Sequence, residues 1–308
     1  MSPWRLVADI GGTNIRLARS HTCGGLTDIV SHPTGSFASF GDALQSYLAA
    51  TGGGERCTAA ALGAAGPVDG DAVTLTNHGA WTITRSQVSA ALAGVPVALV
   101  NDLQAVAAAL PHLGIGDTES VGAPMPEVPA HRTMLALNIG TGFGAALATR
   151  HAGRWWTEAS EAGHMTLGGI TDLERELLEP GATVENFLSG AGIARAYARL
   201  VVGNDAQDAA EVLARAALDT NAARVLRAAT DVLGRIAGDL VLATGAWGGV
   251  HLCGSVAAGL LTHADRTRLR MAFENKGPMR ERLQKTPLTL IRRENIALYG
   301  LAMLAIEA

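Results

Sequence analysis

Two short segments share one plan, and this plan restricts the fold more than any other feature of the chain. Residues 7–18 read VADIGGTNIRLA and residues 136–147 read ALNIGTGFGAAL. In each, an apolar run ends in a polar residue and an isoleucine, a turn of glycine and threonine follows, and a second apolar run begins. The pattern predicts a strand, a tight turn and an antiparallel strand in each half of the chain. We therefore expect two similar lobes, although a chance resemblance of two glycine hairpins would give the same pattern.

Glycine turns of this kind suit phosphate groups. Without a Cβ atom the backbone N–H groups approach an anion closely, and threonine adds a hydroxyl donor. The chain has only two lysines, Lys276 and Lys285, and neither follows a glycine, so the GxxxxGK[ST] phosphate loop is excluded. Two facing hairpins would hold a polyphosphate without lysine. Each hairpin alone reads equally well as an ordinary tight turn.

Polar side chains stand at two predicted strand ends. Asp9 precedes the first glycine turn, where its carboxylate would suit Mg²⁺ bound through water or would bond to its own backbone as a turn residue. Asn101 and Asp102 follow the apolar run VPVALV and open a predicted helix. One helix cap suffices there, so two polar residues exceed the need for capping. A carboxylate beyond a strand end can accept the proton of a substrate hydroxyl.

Two later segments, EAGH at 161–164 and VENFLSG at 184–190, add further polar groups. Carboxylates and an imidazole can form paired hydrogen bonds with neighbouring sugar hydroxyls. For His164 a structural hydrogen-bonded role is the commoner alternative. For Glu185 the alternative is a solvated acid at a helix start.

Composition bounds the class of protein. The 308 residues are 48% hydrophobic, which is enough for two compact lobes. The net charge of -4 calls for no nucleic acid and no membrane surface as a partner. The three cysteines form no CxxC pair and fit a reducing compartment, and we expect a cytoplasmic protein without a signal peptide.

Apolar runs alternate with helical patterns, which predicts α/β layers. The predicted strands are 6–10, 14–19, 57–65, 73–77, 95–100, 134–139 and 248–254. The predicted helices are 40–50, 103–110, 173–178, 192–202, 206–218, 221–243 and 294–308, with a loop at 123–130.

The motifs, taken in order, resemble those of bacterial glucokinases of the Glk type, in the actin/hexokinase/Hsp70 superfamily. The resemblance covers nearly the whole chain, and the ordered set is far more specific than any one motif. The matching segments are ADIGGTNIRLA, TNHGAWTI, NDLQAVAAALP, NIGTGFGAAL, EAGH, VENFLSGAGI, GGVHLCGSVA and AFENKGPMRERL. One departure is Ala162, where the family has glycine; its methyl group is tolerable unless the backbone there needs a positive φ.

This resemblance implies a two-lobed actin-like ATPase fold, of the ribonuclease H-like kind, with ATP and sugar in the interlobe cleft. It implies a small α/β lobe of residues 1–111 plus about 294–308 and a large α/β lobe of residues 112–293. The implied activity is ATP-dependent phosphorylation of D-glucose to glucose 6-phosphate, which would feed glycolysis. The resemblance also implies a homodimer.

The resemblance also assigns roles to single residues. Asp102 would be the general base on the 6-hydroxyl of the sugar, and Asp9 would position Mg²⁺, through water. The implied glucose-binding residues are Asn101, Asp102, Glu161, His164 and Glu185. The implied ATP-binding residues are Ala8, Asp9, Ile10, Gly11, Gly12, Thr13, Gly140, Thr141 and Gly142.

Three alternatives stay open at this point. The chain could phosphorylate another hexose, or it could use polyphosphate as the donor. It could also be a non-catalytic, nucleotide-gated binding module, as in chaperone or filament relatives of the fold. The Asn101-Asp102 pair and the EAGH segment argue against the module, because such a protein needs no sugar pocket.

Overall fold

The computed structural model describes residues 3–21, 24–75, 81–122, 132–201 and 208–306. The chain divides into two compact units. The first unit consists of Met1–His112, Thr157–Ala159 and Glu294–Ala308, and the second of Leu113–Trp156 and Ser160–Arg293. The predicted loop at 123–130 lies outside the described residues.

The strands follow the chain in this order: β1 (Trp4–Ile10), β2 (Asn14–Ser20), β3 (Leu26–Pro33), β4 (Cys57–Ala64), β5 (Val68–Asp69), β6 (Ala72–Thr74), β7 (Thr82–Thr84), β8 (Val97–Asn101), β9 (Thr118–Ser120), β10 (Met134–Ile139), β11 (Phe143–His151), β12 (Arg154–Ser160), β13 (Gly249–Cys253) and β14 (Leu288–Ile291).

The α-helices are α1 (Phe40–Thr51), α2 (Arg85–Ala91), α3 (Asp102–Ala109), α4 (Asp172–Leu177), α5 (Val184–Phe187), α6 (Gly190–Leu200), α7 (Ala209–Arg215), α8 (Thr220–Thr244), α9 (Ser255–His263), α10 (Arg266–Glu274), α11 (Arg280–Gln284) and α12 (Ile296–Met303). No helix in the described part of the chain is both long enough and apolar enough to cross a membrane.

Each unit is built on its own main sheet. The strand order is β3-β2-β1-β4-β8 in the first unit and β12-β11-β10-β13-β14-β9 in the second, and β5, β6 and β7 form a smaller sheet. β1 and β2 form an antiparallel hairpin, as do β10 and β11. The first strand of each hairpin also pairs with a parallel strand, β4 or β13. Both predicted hairpins are therefore confirmed, and the two sheets repeat the same local arrangement around them.

The C-terminal helix is shorter than the sequence pattern predicted. α12 ends at Met303, whereas the prediction extended it to residue 308. Leu304 leaves the helix with an extended backbone, and its carbonyl accepts a hydrogen bond from the Arg5 guanidinium. The apolar composition of the segment could not reveal this end, because the partner lies at the other end of the chain.

Small residues bring α3 close to its neighbours and so fix the position of its first turn. A Cβ atom on Gly63 of β4 would lie 3.1 Å from the Cβ atom of Ala105 in α3. A Cβ atom on Gly300 of α12 would overlap the carbonyl group of Ala105. Side chains of normal size at these two glycines would separate α3 from β4 and from α12.

The second unit is organised around α8, whose buried face packs on the sheet and on α10. A Cβ atom on Gly234 would lie 2.7 Å from the Cβ atom of Ala272, so the two helices approach closely. Asp219 caps the start of α8 by accepting hydrogen bonds from Asn221 N and Ala222 N. Such a cap satisfies backbone N–H groups that otherwise lack a partner.

Candidate active site

The first glycine turn lies at the surface and is braced by Thr34, the residue that follows β3. Gly11 N donates to the carbonyl of Asn14 at 2.9 Å, which closes the turn. The buried Thr34 donates its hydroxyl to Gly11 O at 2.7 Å and its N–H to Thr13 O at 2.9 Å. Sequence reasoning missed Thr34, because nothing local to that residue indicates that it contacts the turn.

Asp9 faces an arginine across this hairpin. Arg16 is its direct partner in the antiparallel register, and Arg16 Nη1 lies 3.0 Å from Asp9 Oδ2. Burial raises the pKa of Asp9, while the positive charge and hydrogen bond of Arg16 act in the opposite direction. Arg16 was also missed, although the signal was present: the two residues stand at equal distances from the turn, so a hairpin places them opposite each other.

Asn101 is the cap of α3. Its Oδ1 accepts a hydrogen bond from Leu103 N at 2.9 Å, and its backbone N–H donates to the side chain of Gln104 at 3.0 Å. Its Nδ2 donates to Gly66 O at 3.2 Å. Because Asn101 forms a complete capping box, Asp102 is not needed to begin the helix.

Asp102 and Asp9 stand near each other on either side of a residue without a side chain. Gly63 is the register partner of Asp9 in β4, and a Cβ atom on Gly63 would lie 3.5 Å from the Cα atom of Asp102. The pKa of Asp102 is raised to about 6, first by burial and then by the negative charge of Asp9. A carboxylate with a pKa close to neutral pH is suited to proton transfer.

The second glycine turn is braced at both of its ends by one later segment. Gly140 N donates to Gly142 O at 3.0 Å within the turn. Gly190 N then donates to Gly140 O at 2.8 Å, and Phe143 N donates to Glu185 Oε2 at 2.8 Å. Glu185, predicted as a sugar ligand, is thus also a partner of the turn.

The EAGH segment packs beside Glu185. A Cβ atom on Gly163 would lie 2.5 Å from Phe143 O and 3.6 Å from the Cβ atom of Glu185, so only glycine fits. Glu161 and His164 are exposed, with 3.7 Å between Glu161 Oε2 and His164 Nε2. Ala162 is buried and does not have a positive φ, so the departure from the family's glycine places no strain on the backbone.

Within each unit, the predicted site residues form a connected group. In the first unit, Asp9 and Asp102 flank Gly63, and residues 11–13 form the turn next to Asp9. In the second, the contacts of Glu185 and Gly163 join the segments that contain residues 140–142, Glu161, His164 and Glu185. Ala8 and Ile10 are buried in the core, so only their main chain could face a ligand. Of the TNHGAWTI segment, residues 76–80 lie outside the described residues.

A cavity of about 560 Å³ adjoins the second turn. Gly140 and Thr141 form part of its wall, and most of the lining is apolar or small, with Asp208, Ser255 and His263 as polar members. Its volume falls within the range typical of small-molecule sites. None of these three residues was assigned a role from sequence, and the helix α9, which carries Ser255 and His263, was not predicted.

The first unit fits a magnesium ion held together with a substrate, and fits poorly a metal held by protein alone. Among the described residues, no group of three or more His, Cys, Asp or Glu side chains could hold a metal. Mg²⁺ commonly keeps several waters and binds one or two carboxylates plus substrate phosphates. Asp9, beside a turn suited to phosphate, provides one such carboxylate.

The sequence and the fold of the chain are similar to those of known proteins. A family model described as Glucokinase matches residues 6–308. A glucokinase of Nitrobacter hamburgensis is 33% identical over 319 residues, covering 100% of this chain and 98% of that protein. The crystal structure of a glucokinase from an Antarctic psychrotroph has a TM-score of 0.84 at 30% identity, covering 98% of each chain.

A more distant structure shares the fold. It is a ROK family glucokinase from Streptomyces griseus in complex with glucose and AMPPNP, with a TM-score of 0.64 and 20% identity over 97% of this chain and 98% of that chain. The predicted fold class, α/β of the actin-like kinase kind, is confirmed by these similarities.

Proposed function

The chain belongs to the glucokinase family, and we propose that it converts D-glucose to glucose 6-phosphate with ATP as the phosphoryl donor. Membership makes it a kinase of glucose. Beyond membership, we propose that ATP is the phosphoryl donor, and we propose a role for each site residue. We also propose that the product feeds glycolysis and that the protein is a homodimer, which light scattering would test.

The observation that carries the proposal is the position and acidity of Asp102. It stands in the first turn of α3, partly buried, with its pKa raised to about 6. At neutral pH the carboxylate is ionised and can accept the proton of the sugar's 6-hydroxyl as the oxygen bonds to phosphorus. General-base help of this kind typically contributes ~10²–10⁴-fold to the rate.

Asn101, Glu161, His164 and Glu185 are proposed to bind the sugar hydroxyls. Glu161 and His164 are exposed, so both side chains are accessible to a ligand. A site built from such groups rejects a sugar that lacks a matching hydroxyl, because its own polar atoms would then lose their partners. This is the basis on which we expect discrimination between hexoses.

The two glycine turns are proposed to hold the phosphates of ATP. Support comes from the backbone N–H groups at residues 11–13 and 140–142, and from the cavity beside the second turn, where the nucleoside would lie. The proposal assigns no role to lysine, and Lys276 pairs with Asp239 at 2.5 Å. The AMPPNP in the Streptomyces griseus structure belongs to a protein of the same fold.

Magnesium is proposed to bind with the nucleotide next to Asp9, through water. When bound, the ion neutralises charge on the phosphates during transfer. Asp9 would hold the ion's water shell, and the N–H groups of residues 11–13 would orient the phosphates. Asp102 would take the proton from the sugar.

A coupled assay of ADP formation, run across hexoses and phosphoryl donors, tests the proposal. We expect ADP and glucose 6-phosphate in equal amounts, formed only when glucose is present. Equal or faster turnover of another hexose would assign that sugar as the substrate, and activity with polyphosphate in place of ATP would change the donor. ATP hydrolysis without any phosphosugar would instead support a nucleotide-gated binding module.

A further inference from the structure

A single segment holds both ends of the second glycine turn. Glu185 Oε2 accepts the N–H of Phe143 at 2.8 Å, just after the turn, and Gly190 N donates to Gly140 O at 2.8 Å, at its start. The first turn is braced differently, by the neutral hydroxyl and backbone of Thr34. The second turn therefore depends on an ionisable side chain that the proposed function also assigns to the sugar.

The contact between Glu185 and the turn is close. A Cβ atom on Gly142 would lie 2.5 Å from Glu185 Oε2 and 3.3 Å from its Cδ. A side chain at position 142 would therefore displace the carboxylate of Glu185 from its contact with the turn. A movement of this carboxylate must therefore move the turn or break the hydrogen bond to Phe143.

The same turn also lines the cavity. Gly140 and Thr141 line that cavity, and Thr141 is exposed, while Glu185 contacts the turn at Gly142 and Phe143. The same short turn therefore contacts the Glu185 carboxylate at Gly142 and Phe143 and lines, at Gly140 and Thr141, the space proposed for the nucleotide.

We propose that Glu185 is a positioning residue for the nucleotide: its Oε2 sets the shape of the phosphate turn, and a sugar hydroxyl bound at its other oxygen fixes that shape further. The inference rests on the proposed function for the identity of the two ligands. It adds that glucose and the nucleotide bind with positive coupling through the second unit. Reciprocity requires each ligand to raise the affinity of the other by the same factor.

The coupling would depend on two properties of Glu185: the strength of its hydrogen bond to Phe143 N and the rotamer freedom of its side chain. A hydrogen bond from a backbone N–H to a carboxylate is charge-assisted, and so is stronger than one to a neutral acceptor. Without sugar, Glu185 keeps some rotamer freedom, because its side chain is only partly buried. A sugar hydroxyl donating to Oε1 would remove that freedom before the nucleotide arrives, and ordering the turn would then cost less.

The test uses three variants of the full chain. Glu185→Met removes both the charge and the acceptor for Phe143, whereas Glu185→Gln keeps an acceptor oxygen of similar shape. Glu161→Gln is the comparison, because Glu161 is a proposed sugar ligand at a different position in the same unit. Calorimetry would measure the Kd of Mg-AMPPNP with and without saturating glucose, and hydrogen exchange would report on the Phe143 amide.

We expect Glu185→Met to bind Mg-AMPPNP about tenfold more weakly without any sugar present, from the loss of a charge-assisted hydrogen bond. In the same variant the Phe143 amide hydrogen should exchange faster, and glucose should no longer lower the Kd of Mg-AMPPNP. Glu185→Gln should recover most of the nucleotide affinity in the absence of sugar. Glu161→Gln should weaken glucose binding while the Kd of Mg-AMPPNP alone stays at the wild-type value.

If Glu185→Met binds Mg-AMPPNP alone as well as wild type does, Glu185 is only a sugar ligand and the inference is overturned. Should that variant fail to fold by thermal unfolding, Glu185→Asp serves instead, since its shorter side chain withdraws the carboxylate from the Phe143 amide while keeping the charge. If wild type binds Mg-AMPPNP but phosphorylates no sugar, the proposed function is wrong. In that case weaker binding of Mg-AMPPNP by Glu185→Met would still support the positioning role of Glu185. Wild type that binds no nucleotide would overturn both.

Discussion

Asp9 and Arg16 are paired across the first hairpin, with Arg16 Nη1 3.0 Å from Asp9 Oδ2. The aspartate side chain is 16% exposed and the arginine side chain 42% exposed, so a mostly buried carboxylate has a partner that reaches solvent. Burial alone would favour the protonated form of Asp9. The arginine opposes that effect and helps to keep the proposed magnesium ligand ionised.

Replacing Arg16 with methionine should destabilise the fold, because Asp9 loses its partner in a buried setting. We expect a loss of roughly 1–2 kcal/mol, discounted for the exposure of Arg16. Asp9→Asn combined with Arg16→Met should cost less than the sum of the single changes, since the double variant leaves no unpaired charge. Urea unfolding of wild type, the two single variants and the double variant gives a double-mutant cycle. If the two changes in the free energy of unfolding simply add, the residues are not paired.

Asp102→Ala should lower kcat by at least ~10²-fold, because the sugar hydroxyl loses its proton acceptor. Glucose binding should persist, since other polar residues are proposed to bind the sugar. Steady-state kinetics and calorimetric binding of glucose would show both effects. A kcat close to that of wild type would remove Asp102 from the mechanism.

The pH dependence of kcat/KM should show an acid limb near pH 6. The pKa of Asp102 is raised to about 6, so the carboxylate takes up a proton as the pH falls through that value and can no longer act as a base. Activity should be pH-independent just above this range and fall about tenfold per pH unit below it. A profile that stays flat down to pH 5 would be inconsistent with Asp102 as the base.

The same raised pKa predicts that Asp102 costs stability at neutral pH. A group whose pKa is higher in the folded state than its ordinary value of 3.8 favours folding at low pH, and this contribution is lost as the pH rises through about 6. Asp102→Asn should therefore raise the free energy of unfolding by roughly 1–3 kcal/mol at pH 7.5. At pH 3.5 the two proteins should be equally stable, and an equal difference at both pH values would point to packing instead.

His251 should make the fold sensitive to acid. It is buried on β13, its Nδ1 lies 2.9 Å from Thr289 Oγ1, and burial lowers its pKa from 6.5 to about 4. Stability is therefore lost as the pH falls from about 6.5 toward 4, by up to roughly 3 kcal/mol, because only the unfolded chain takes up the proton there. In His251→Gln this part of the decline should be absent. Parallel decline of both proteins in urea unfolding would show that other groups cause it.

The local parts of the site could be predicted from sequence. The two hairpins follow from apolar runs around glycine turns, and Asn101 at the start of α3 follows from its capping chemistry. These features depend on residues within a few positions of each other. For the same reason the register of the first hairpin, and with it the Asp9–Arg16 pair, was within reach of the sequence.

The braces behind the turns could not be predicted in this way. Thr34 contacts a turn more than 20 residues earlier, and Glu185 accepts from the backbone of a residue 42 positions before it. No periodicity links such residues, because the tertiary fold alone brings them together. Several elements of the second unit were not predicted, namely β9, β12, β14, α9, α10 and α11. The unpredicted α9 carries two polar residues of the cavity, Ser255 and His263.

The contact of α12 with α3 has a consequence for the order in which the chain matures. Gly300 touches the backbone of Ala105, so the helix that begins with Asp102 is completed by residues from the end of the chain. A ribosome adding about 5–20 residues per second needs roughly 10–40 s to make the intervening segment. During that time α3 lacks the helix that packs against it. The helix that carries the proposed base therefore gains its neighbour α12 only after the second unit has been synthesised.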